Sequence, residues 1–266
     1  MKIIATLFFS LFIVSHSFSQ GKIDGFYKGK NNGASVLGSG FEASKSYFAG
    51  TNKIDLSRNL YYLNLYAAYG ITENLDVNFS LPYLSSDEES NFQDVSLMLK
   101  YRFFQSASEN GNLELSLGAG FSTPVSDYNI GGLNDIGQQA SVIETRVMVH
   151  YKFNSGWFTT VQSGFSFKFD VTPNSLPLTF KTGKASKRWY YDVYYDYQHS
   201  FGGIDYRGTP RPQNFKELGV DYHKVGGTLY RTLSENFGVA LNFSYTLGGR
   251  NTFQGPAYGL SIVYNL

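Results

Sequence analysis

The stretch LYYLNLYAAYGITENLDVNFSLPY at residues 60–83 decides the fold class. Apolar side chains stand at every second position from Tyr61 to Tyr69, and the alternation resumes at Leu75 after a polar turn at residues 71–74. Period-two alternation is typical of β-strands with one apolar and one polar face. Each strand has about ten residues, close to the nine to eleven that cross a bilayer. With tyrosines at the strand ends, where membrane barrels carry aromatic girdles, the stretch predicts one hairpin of a transmembrane barrel.

The same alternation recurs along the chain and predicts an all-β fold, an antiparallel up-and-down β-barrel of about twelve strands. Besides the hairpin, the predicted strands lie at residues 35–48, 93–103, 113–123, 141–153, 157–170, 178–181, 189–197, 216–232, 237–247 and 258–266. The strand at 178–181 is short and falls in the least patterned region, and the strand at 216–232 has a predicted bulge at Gly226 and Gly227. Short turns at 71–74, 154–156 and 233–236 are expected on the periplasmic side with both termini, and long loops at 85–91, 125–138 and 200–214 outside.

The first residues predict a secretory signal peptide. Lys2 precedes an apolar run at residues 3–14, and Ser17 and Ser19 suit a cleavage site, so we expect residues 1–19 to be removed. The run is too short to span a bilayer as a helix. Residues 20–34 lack alternation and are expected in the periplasm or in the barrel lumen, and residues 35–266 form the predicted barrel. The chain has no cysteine, which excludes a lipoprotein anchor, a disulfide scaffold and a thiol nucleophile.

Composition limits the classes of partner that the chain is expected to bind. The net charge of +1 gives no indication of nucleic-acid binding. A secreted barrel without a spanning helix is expected in the outer membrane of a Gram-negative cell, with outer-membrane lipid and lipopolysaccharide, the barrel-assembly machinery and a small-molecule solute as partners. A soluble periplasmic barrel is the alternative. Charged residues on the second face of several strands argue against it, because a small soluble barrel would bury that face.

The inner face is the candidate site. Strand parity predicts that charged and aromatic side chains line the lumen: Lys100, Arg102, Glu114, Glu144, Arg146, His150, Lys152, Lys168, Asp170, Tyr190, Asp192, Tyr194 and Asp196. Arg102 and Glu114 flank one turn and are expected to pair across adjacent strands. Such a lining has two interpretations, a ladder of ion pairs that fills the barrel or a narrow conduit for small solutes. The inward aromatic residues, with Phe158 among them, could contact a ring-bearing ligand.

The sequence predicts no enzyme. Three histidines follow the signal peptide, His150, His199 and His223, and none forms a His-x-Ser pair with a nearby Asn, as a barrel phospholipase would require. Asp221 and His223 share a strand face, which is a common spacing. The acidic run at residues 87–89 is typical of a solvated loop, so no metal and no cofactor are predicted.

Three segments resemble a known family. GKIDGFYKGKNN at residues 21–32, YAAYGITENLDVNFSLPYL at 66–84 and TLGGRNT at 246–252 are similar to outer-membrane barrels named for the meta-pathway of phenol degradation, also called a transporter family. The resemblance covers nearly the whole mature chain, and the family is distantly similar to fatty-acid and aromatic-hydrocarbon channels. It implies passage of small molecules, hydrophobic or aromatic ones among them, across the outer membrane. One departure is the C-terminus, where such barrels commonly end in an aromatic residue and this chain ends in Leu266.

Three functions therefore stay open at the level of sequence. The first is an outer-membrane channel for small molecules. The second is a structural or assembly-linked barrel with a closed lumen, and the third, least favoured, is an outer-membrane hydrolase.

Overall fold

A computed structural model describes residues 22–130, 132 and 135–266, so the predicted signal peptide at 1–19 lies outside the described residues. Its strands, in chain order, are β1 (Gly33–Ala49), β2 (Asn52–Thr72), β3 (Leu75–Ser86), β4 (Ser90–Phe92), β5 (Asp94–Ala107), β6 (Gly111–Pro124), β7 (Val142–Phe153), β8 (Trp157–Lys168), β9 (Ser175–Ala185), β10 (Trp189–Ser200), β11 (Asp221–Thr232), β12 (Phe237–Arg250), β13 (Thr252–Gln254) and β14 (Pro256–Asn265). Short strands β4 and β13 pair beside β3 and β1, and the other twelve form the barrel.

The barrel closes at β1, which pairs with the last strand on one side and with β2 on the other. Each of the twelve strands is antiparallel to its neighbours, β14 pairs with β1, and β1 pairs with β2 from Gly33 opposite Tyr69 to Ala49 opposite Asn52. A closed ladder leaves no unpaired strand edge, which is the condition for a sheet to sit in lipid. The twelve-stranded up-and-down barrel predicted from the alternation is confirmed.

Opposite faces of each strand differ in chemistry, as the alternation predicted. On β5, the outward side chains of Leu97, Leu99 and Tyr101 are about half exposed, whereas Met98 and Lys100 between them are buried inside the barrel. Apolar side chains thus cover the outer surface, and the interior contains the charged and polar side chains together with apolar clusters such as that of Phe158 and Val263. Among the described residues, no helix is long and apolar enough to span a membrane.

Several element bounds differ from the predicted ones. Strand β9 runs over Ser175–Ala185 and is longer than the predicted strand at 178–181. The prediction was too short because the threonines, lysines and glycine of this strand give little contrast between apolar and polar positions. Strand β11 begins at Asp221 rather than residue 216, and a single 3-10 turn, Phe215–Glu217, precedes it. Strands β1 and β2 extend to a tight turn at Gly50, so most of the residues between the predicted strand at 35–48 and the predicted hairpin at 60–83 belong to strands.

The predicted bulge at Gly226 and Gly227 is wrong. The register of β11 shifts against β12 between His223 and Lys224. Gly226 instead makes room for a neighbour, since a Cβ atom there would lie 2.4 Å from the hydroxyl oxygen of Tyr194. The glycine that looked like a backbone irregularity is a packing site for an inward tyrosine.

The two ends of the barrel are unlike each other. The short turns after β2, β5, β7, β9 and β11 share one end with the C-terminus, which we call the turn end, and the longer connections lie at the opposite loop end. The β6–β7 loop folds inward there, where Tyr128 and Ile136 pack on Leu60 and Leu84 of the inner wall. Gln138 of this loop donates hydrogen bonds to the carbonyls of Phe215 and Leu218 in the β10–β11 loop, each at 3.1 Å. The loop end is therefore narrowed by two mutually bonded loops.

Candidate functional site

Residues 22–32 lie inside the barrel, and we call them the lumen segment. They run from the middle of the lumen to the turn end and continue into β1 at Gly33. Ile23 is 2% exposed. The side-chain amide of Gln162 on β8 both accepts a hydrogen bond from the Ile23 backbone and donates one to it. The Ile23 N–H donates to Gln162 Oε1 at 3.0 Å, and Gln162 Nε2 donates to the Ile23 carbonyl at 2.8 Å. A single side chain thus replaces the pairing that a neighbouring strand would supply.

Ion pairs hold the lumen segment to the neighbouring strands β9 and β10 of the wall. Lys22 Nζ lies 3.0 Å from the Asp196 carboxylate on β10, and Lys181 Nζ on β9 lies 3.4 Å from Asp24. All four side chains are buried or nearly so. Charges taken out of water are tolerated when each has a partner of opposite sign. The wall and the segment therefore carry complementary charges at matching heights.

Lys100 on β5 is the most connected group in the lumen. Its ammonium lies 3.1 Å from the Asp76 carboxylate on β3 and donates to the carbonyls of Asp24 at 3.0 Å and Phe26 at 2.7 Å. The Asp76 carboxylate also accepts the backbone N–H of Lys28 at 3.1 Å. This one buried pair thus binds three residues of the lumen segment to two strands.

Phe26 fills the lumen with an aromatic cluster. Its ring lies 4.7 Å from the ring of His150, 5.1 Å from that of Phe158 and 6.5 Å from that of Tyr190, all edge-on. Edge-to-face packing is a favourable arrangement for aromatic rings. Gly25 permits this approach, since a Cβ atom there would lie 2.2 Å from His150 Nδ1.

The lumen segment joins the wall at the turn end before it enters β1. The Asn31 N–H donates to the Gly70 carbonyl and the Gly70 N–H donates to the Asn32 carbonyl, each at 2.9 Å. Asn31 and Gly29 adopt left-handed backbone conformations, with φ of 64° and 78°, which bend the chain back towards the wall. These hydrogen bonds continue the β1–β2 ladder beyond its first pair, Gly33 opposite Tyr69.

A cavity of about 360 Å³ occupies the loop-end half of the lumen. Tyr194 lies at the boundary with the lumen segment, since Lys22 Nζ sits 4.0 Å above its ring. Loop residues Gln138 and Phe215 line the outer side of the cavity, and Tyr62 and Lys224 are among the wall residues. The Tyr62 ring lies flat on the wall because Gly40 and Gly259 are beneath it, where a Cβ atom would come within 2.4 Å and 2.2 Å of its hydroxyl oxygen. The cavity is thus bounded by the lumen segment on one side and the inward loops on the other.

The structure places most of the predicted site residues on the inner wall. Eight of them are buried there: Lys100, Glu144, Arg146, His150, Tyr190, Asp192, Tyr194 and Asp196. Arg102 and Glu114 form the expected cross-strand ion pair, 2.9 Å apart. Lys168 reaches Gln138 at 3.4 Å and lines the cavity, and Lys152 is exposed near the turn end with its ammonium 5.8 Å from the Phe26 ring.

The expectation that Asp170 lines the lumen is wrong. Strand β8 ends at Lys168, and Asp170 sits in the following turn with a positive φ of 61°, so strand parity no longer sets its direction. Its side chain is exposed and lies 3.6 Å from Lys216 of the β10–β11 loop.

Sequence reasoning missed several residues that hold the lumen segment. Asp76 was visible, because it stands between Leu75 and Val77 on the polar parity of the opening hairpin. Lys181 fell in the region of weak alternation, and Gln162 was one of many polar wall residues. No local pattern in the sequence pointed to Asp24 and Phe26 as contacts of the wall.

The outer histidines do not form a nucleophile–base pair with a serine. His223 Nδ1 lies 2.6 Å from the Tyr195 hydroxyl on the outer surface, and His199 Nδ1 lies 3.6 Å from Asp221. The Ser200 hydroxyl donates to the Val220 carbonyl instead of a histidine. Across the described part of the chain, no three His, Asp or Glu side chains converge as metal ligands would.

Asp135 lies in the inward β6–β7 loop, where its surroundings raise the pKa of its carboxyl group. Burial, together with nearby Glu89 and Glu88, raises its pKa to about 6, although its carboxylate accepts the Gly132 N–H at 3.0 Å. Because the pKa is above the value of 3.8 for an unfolded chain, ionisation opposes the inward position. This cost is absent at low pH, grows as pH rises towards about 6 and is complete above it.

We expect the β6–β7 loop to open more often at neutral than at mildly acidic pH. Ile136→Cys places a thiol at a buried loop position, and its rate of maleimide labelling reports opening. Dividing this rate by that of the Ile136→Cys, Asp135→Asn double variant cancels the pH dependence of the thiol itself. The ratio should rise between about pH 5 and about pH 7.5. A ratio that stays flat over this range would show that Asp135 does not control the loop.

The closed ladder, the apolar outer surface and the polar interior define the class of this protein, an outer-membrane β-barrel. The chain belongs to the family described as "Putative MetA-pathway of phenol degradation", whose model matches residues 14–262. The expectation drawn from the three sequence segments is thereby confirmed. Among curated proteins, no sequence matches the chain.

Solved structures share the fold at low sequence identity. The COG4313 outer membrane channel from Pseudomonas putida F1 superposes with a TM-score of 0.71 at 13% identity, over 95% of this chain and 100% of that chain. The NanC porin gives 0.58 at 10% identity, over 88% and 100%, and the KdgM porin gives 0.51 at 9% identity, over 86% and 98%. These similarities support the barrel fold.

Proposed function

We propose that this protein is an outer-membrane channel for small molecules, and that the lumen segment closes it until it shifts. The observation that carries the proposal is the way the lumen is filled. A cavity enters from the loop end and reaches Tyr194, and beyond Tyr194 residues 22–32 fill the lumen. These residues are bound to the wall largely by side-chain contacts and are not a strand of the barrel. Moving the segment breaks no pair in the closed ladder. The barrel can therefore open without unfolding.

The cavity favours small solutes with an aromatic or apolar part. Its volume of about 360 Å³ lies at the low end of ligand-binding pockets. Tyr62 and Tyr194 line it, and Phe158 and Tyr190 lie further in, covered by Phe26. A ring-bearing solute that replaced Phe26 would meet the same edge-to-face partners. This supports the hydrophobic or aromatic cargo that the family resemblance implies.

A barrel with a permanently closed lumen is the second candidate function. It is favoured by the buried ion pairs Lys22–Asp196 and Lys100–Asp76, which stiffen the interior as well as close it. In that case the protein would act in the structure or assembly of the outer membrane. Conduction and solute uptake separate the two candidates.

The setting of the channel follows from the same barrel. We propose that residues 1–19 are cleaved, that the turn end faces the periplasm and that the barrel-assembly machinery inserts the chain next to lipopolysaccharide. Bacterial barrels have short turns on the periplasmic side. Intact-mass measurement of the purified outer-membrane form tests the cleavage, with a chain beginning at Gln20 as the expected result.

Phe26→Ala should increase solute flux through the barrel. The change removes the ring contacts with His150, Phe158 and Tyr190. It should destabilise the bound position of the lumen segment in the barrel by about 3–5 kcal/mol. Swelling of liposomes that contain purified protein measures the flux of small neutral solutes. We expect weak flux for the unchanged protein and a several-fold increase for the variant, with the larger increase for an aromatic solute.

Phe180→Ala is the matched control, because Phe180 is an outward phenylalanine on β9 with 44% of its surface exposed. It should leave the flux unchanged. Absence of flux in both the unchanged protein and the Phe26 variant would contradict the channel and favour the closed barrel.

A further inference from the structure

Cations inside the barrel and cations on its outer rim differ in their partners. In the lumen, Lys22, Lys100, Arg102, Arg146 and Lys181 each lie within 3.4 Å of a carboxylate oxygen. On the outer rim at the turn end, Lys184, Lys187, Arg188 and Arg231 stand together. No ion pair links any of these four to a carboxylate in the described part of the chain. Among the described residues, these five interior cations are each compensated by a carboxylate, and the four cations of the rim are not.

The four cations fall on one side of the barrel. Lys184 is on β9, Lys187 and Arg188 are in the β9–β10 turn, and Arg231 is on β11. From the strand register, Lys184 lies opposite Tyr191 and Arg231 lies opposite Trp189, which places their Cα atoms about 12 Å apart. The other turns at this end carry Glu73, Glu109 and Glu235 or no charge at all. On the outer rim of the turn end, positive charge is therefore concentrated on β9–β11, whereas Arg102 and Lys152 belong to the inner wall.

Both tryptophans of the chain stand in the same place. The Lys184 ammonium lies 5.8 Å from the centre of the Trp157 ring, and the Arg231 guanidinium lies 5.0 Å from that of Trp189. Trp157 also meets Tyr191 edge-on at 6.0 Å. Each indole is 42–44% exposed on the outer surface. Tryptophan prefers the boundary between acyl chains and headgroups, so these rings fix the depth of the cations at headgroup level.

We propose that Trp157, Lys184, Lys187, Arg188, Trp189 and Arg231 form a binding site for the headgroup of an anionic phospholipid. The indoles pack on the upper acyl chains, and the cations surround the phosphodiester above them. Charge complementarity supports this occupant, because four basic groups without acidic partners are presented at the depth where lipid phosphates lie. Arginine and lysine are the side chains that bind phosphate oxygens best. The site is independent of conduction, since it lies on the outer surface.

The two tryptophans make the test direct, because all of the indole emission comes from the proposed site. Purified full-length protein is inserted into phosphatidylcholine vesicles in which a fixed fraction of the lipid carries brominated chains, either on phosphatidylglycerol or on phosphatidylcholine. Bromine quenches an indole only at contact, so the two quenching curves compare occupancy by the anionic and the neutral lipid. We expect about fivefold preference for brominated phosphatidylglycerol, which corresponds to the ~1 kcal/mol gained by one basic side chain at an anionic surface.

The variant Lys184→Gln, Lys187→Gln, Arg188→Gln, Arg231→Gln should lose the preference and keep the tryptophans. The matched control is Arg207→Gln, Arg211→Gln in the β10–β11 loop, which removes positive charge from the other end and should keep the preference. Far-UV circular dichroism and resistance to denaturation in detergent report folding of both. Equal quenching by the two brominated lipids in the unchanged protein, or an undiminished preference in the four-site variant, would overturn the proposal. A rim that binds a protein instead of lipid would give the first of these two results.

Discussion

Deletion of residues 22–31 is expected to open the barrel. The deletion leaves β1, which begins at Gly33, and every strand pair of the ladder in place. It removes the groups that fill the turn-end half of the lumen, Phe26 foremost, and lets water reach Lys181 and Asp196 in place of their segment partners. We expect single-channel conductance in planar bilayers to rise several-fold over that of the unchanged protein.

Replacement of residues 22–31 by a Gly/Ser segment of equal length is the informative companion. It keeps the length of the chain and loses every contact with the wall, so its conductance should approach that of the deletion, with flickering added by the mobile segment. A deletion variant that folds as a barrel and conducts no better than the unchanged protein would contradict the account, because some other part of the chain would then have to block the lumen.

Lys100→Met should cause the largest loss of stability of any single change in the lumen. Asp76 is 1% exposed, and the substitution leaves its carboxylate without the ammonium 3.1 Å away. Breaking one side of a buried ion pair costs about 3–5 kcal/mol, since the remaining charge stays out of water. The carbonyls of Asp24 and Phe26 also lose their donor. Reversible urea unfolding of the barrel in lipid vesicles measures the change in free energy of unfolding.

Two further variants isolate the cause. Lys53→Met removes an exposed lysine from β2 and should change the free energy of unfolding by about 0.5 kcal/mol or less. Lys100→Met with Asp76→Asn removes both charges and should recover part of the loss. If Lys100→Met were no more harmful than Lys53→Met, the pair would be hydrated in the folded barrel and could not anchor the lumen segment.

The fold was predictable because one physical rule governs the whole ring. A strand between lipid and a polar lumen must alternate, and residues 60–83 show this alternation twice with a turn between. The rule fails where the strand ends, as at Asp170. This residue has a turn conformation, so its position in the alternation no longer predicts whether its side chain points inward or outward. It also weakens where outward residues are themselves small or polar, as with Thr182 and Lys184 of β9.

Of the residues that form the site, only those on the strands of the wall could be predicted from the sequence. Parity places Lys100, Tyr190 and Asp196 inside, and the spacing around one turn pairs Arg102 with Glu114. The partners supplied by the lumen segment are far away in sequence, since Ile23 and Gln162 are 139 residues apart and Lys22 and Asp196 are 174 apart. Nothing local in GKIDGFYKGKNN indicates which wall residues it meets. Its glycine at position 25 is explained only by the ring of His150.

A reversible tether between Gly25 and His150 tests the central claim most directly. The chain has no cysteine, so Gly25→Cys, His150→Cys introduces one possible disulfide, because a Cβ atom at Gly25 would lie only 2.8 Å from His150 Cγ and the two thiols are then within bonding reach. Conductance is recorded from one bilayer before and after a reductant, with His150→Cys alone as control. The account predicts that the oxidised barrel stays closed and that reduction restores opening, with no change in the control. An oxidised barrel that conducts as well as the reduced one would show that the lumen segment does not close the path.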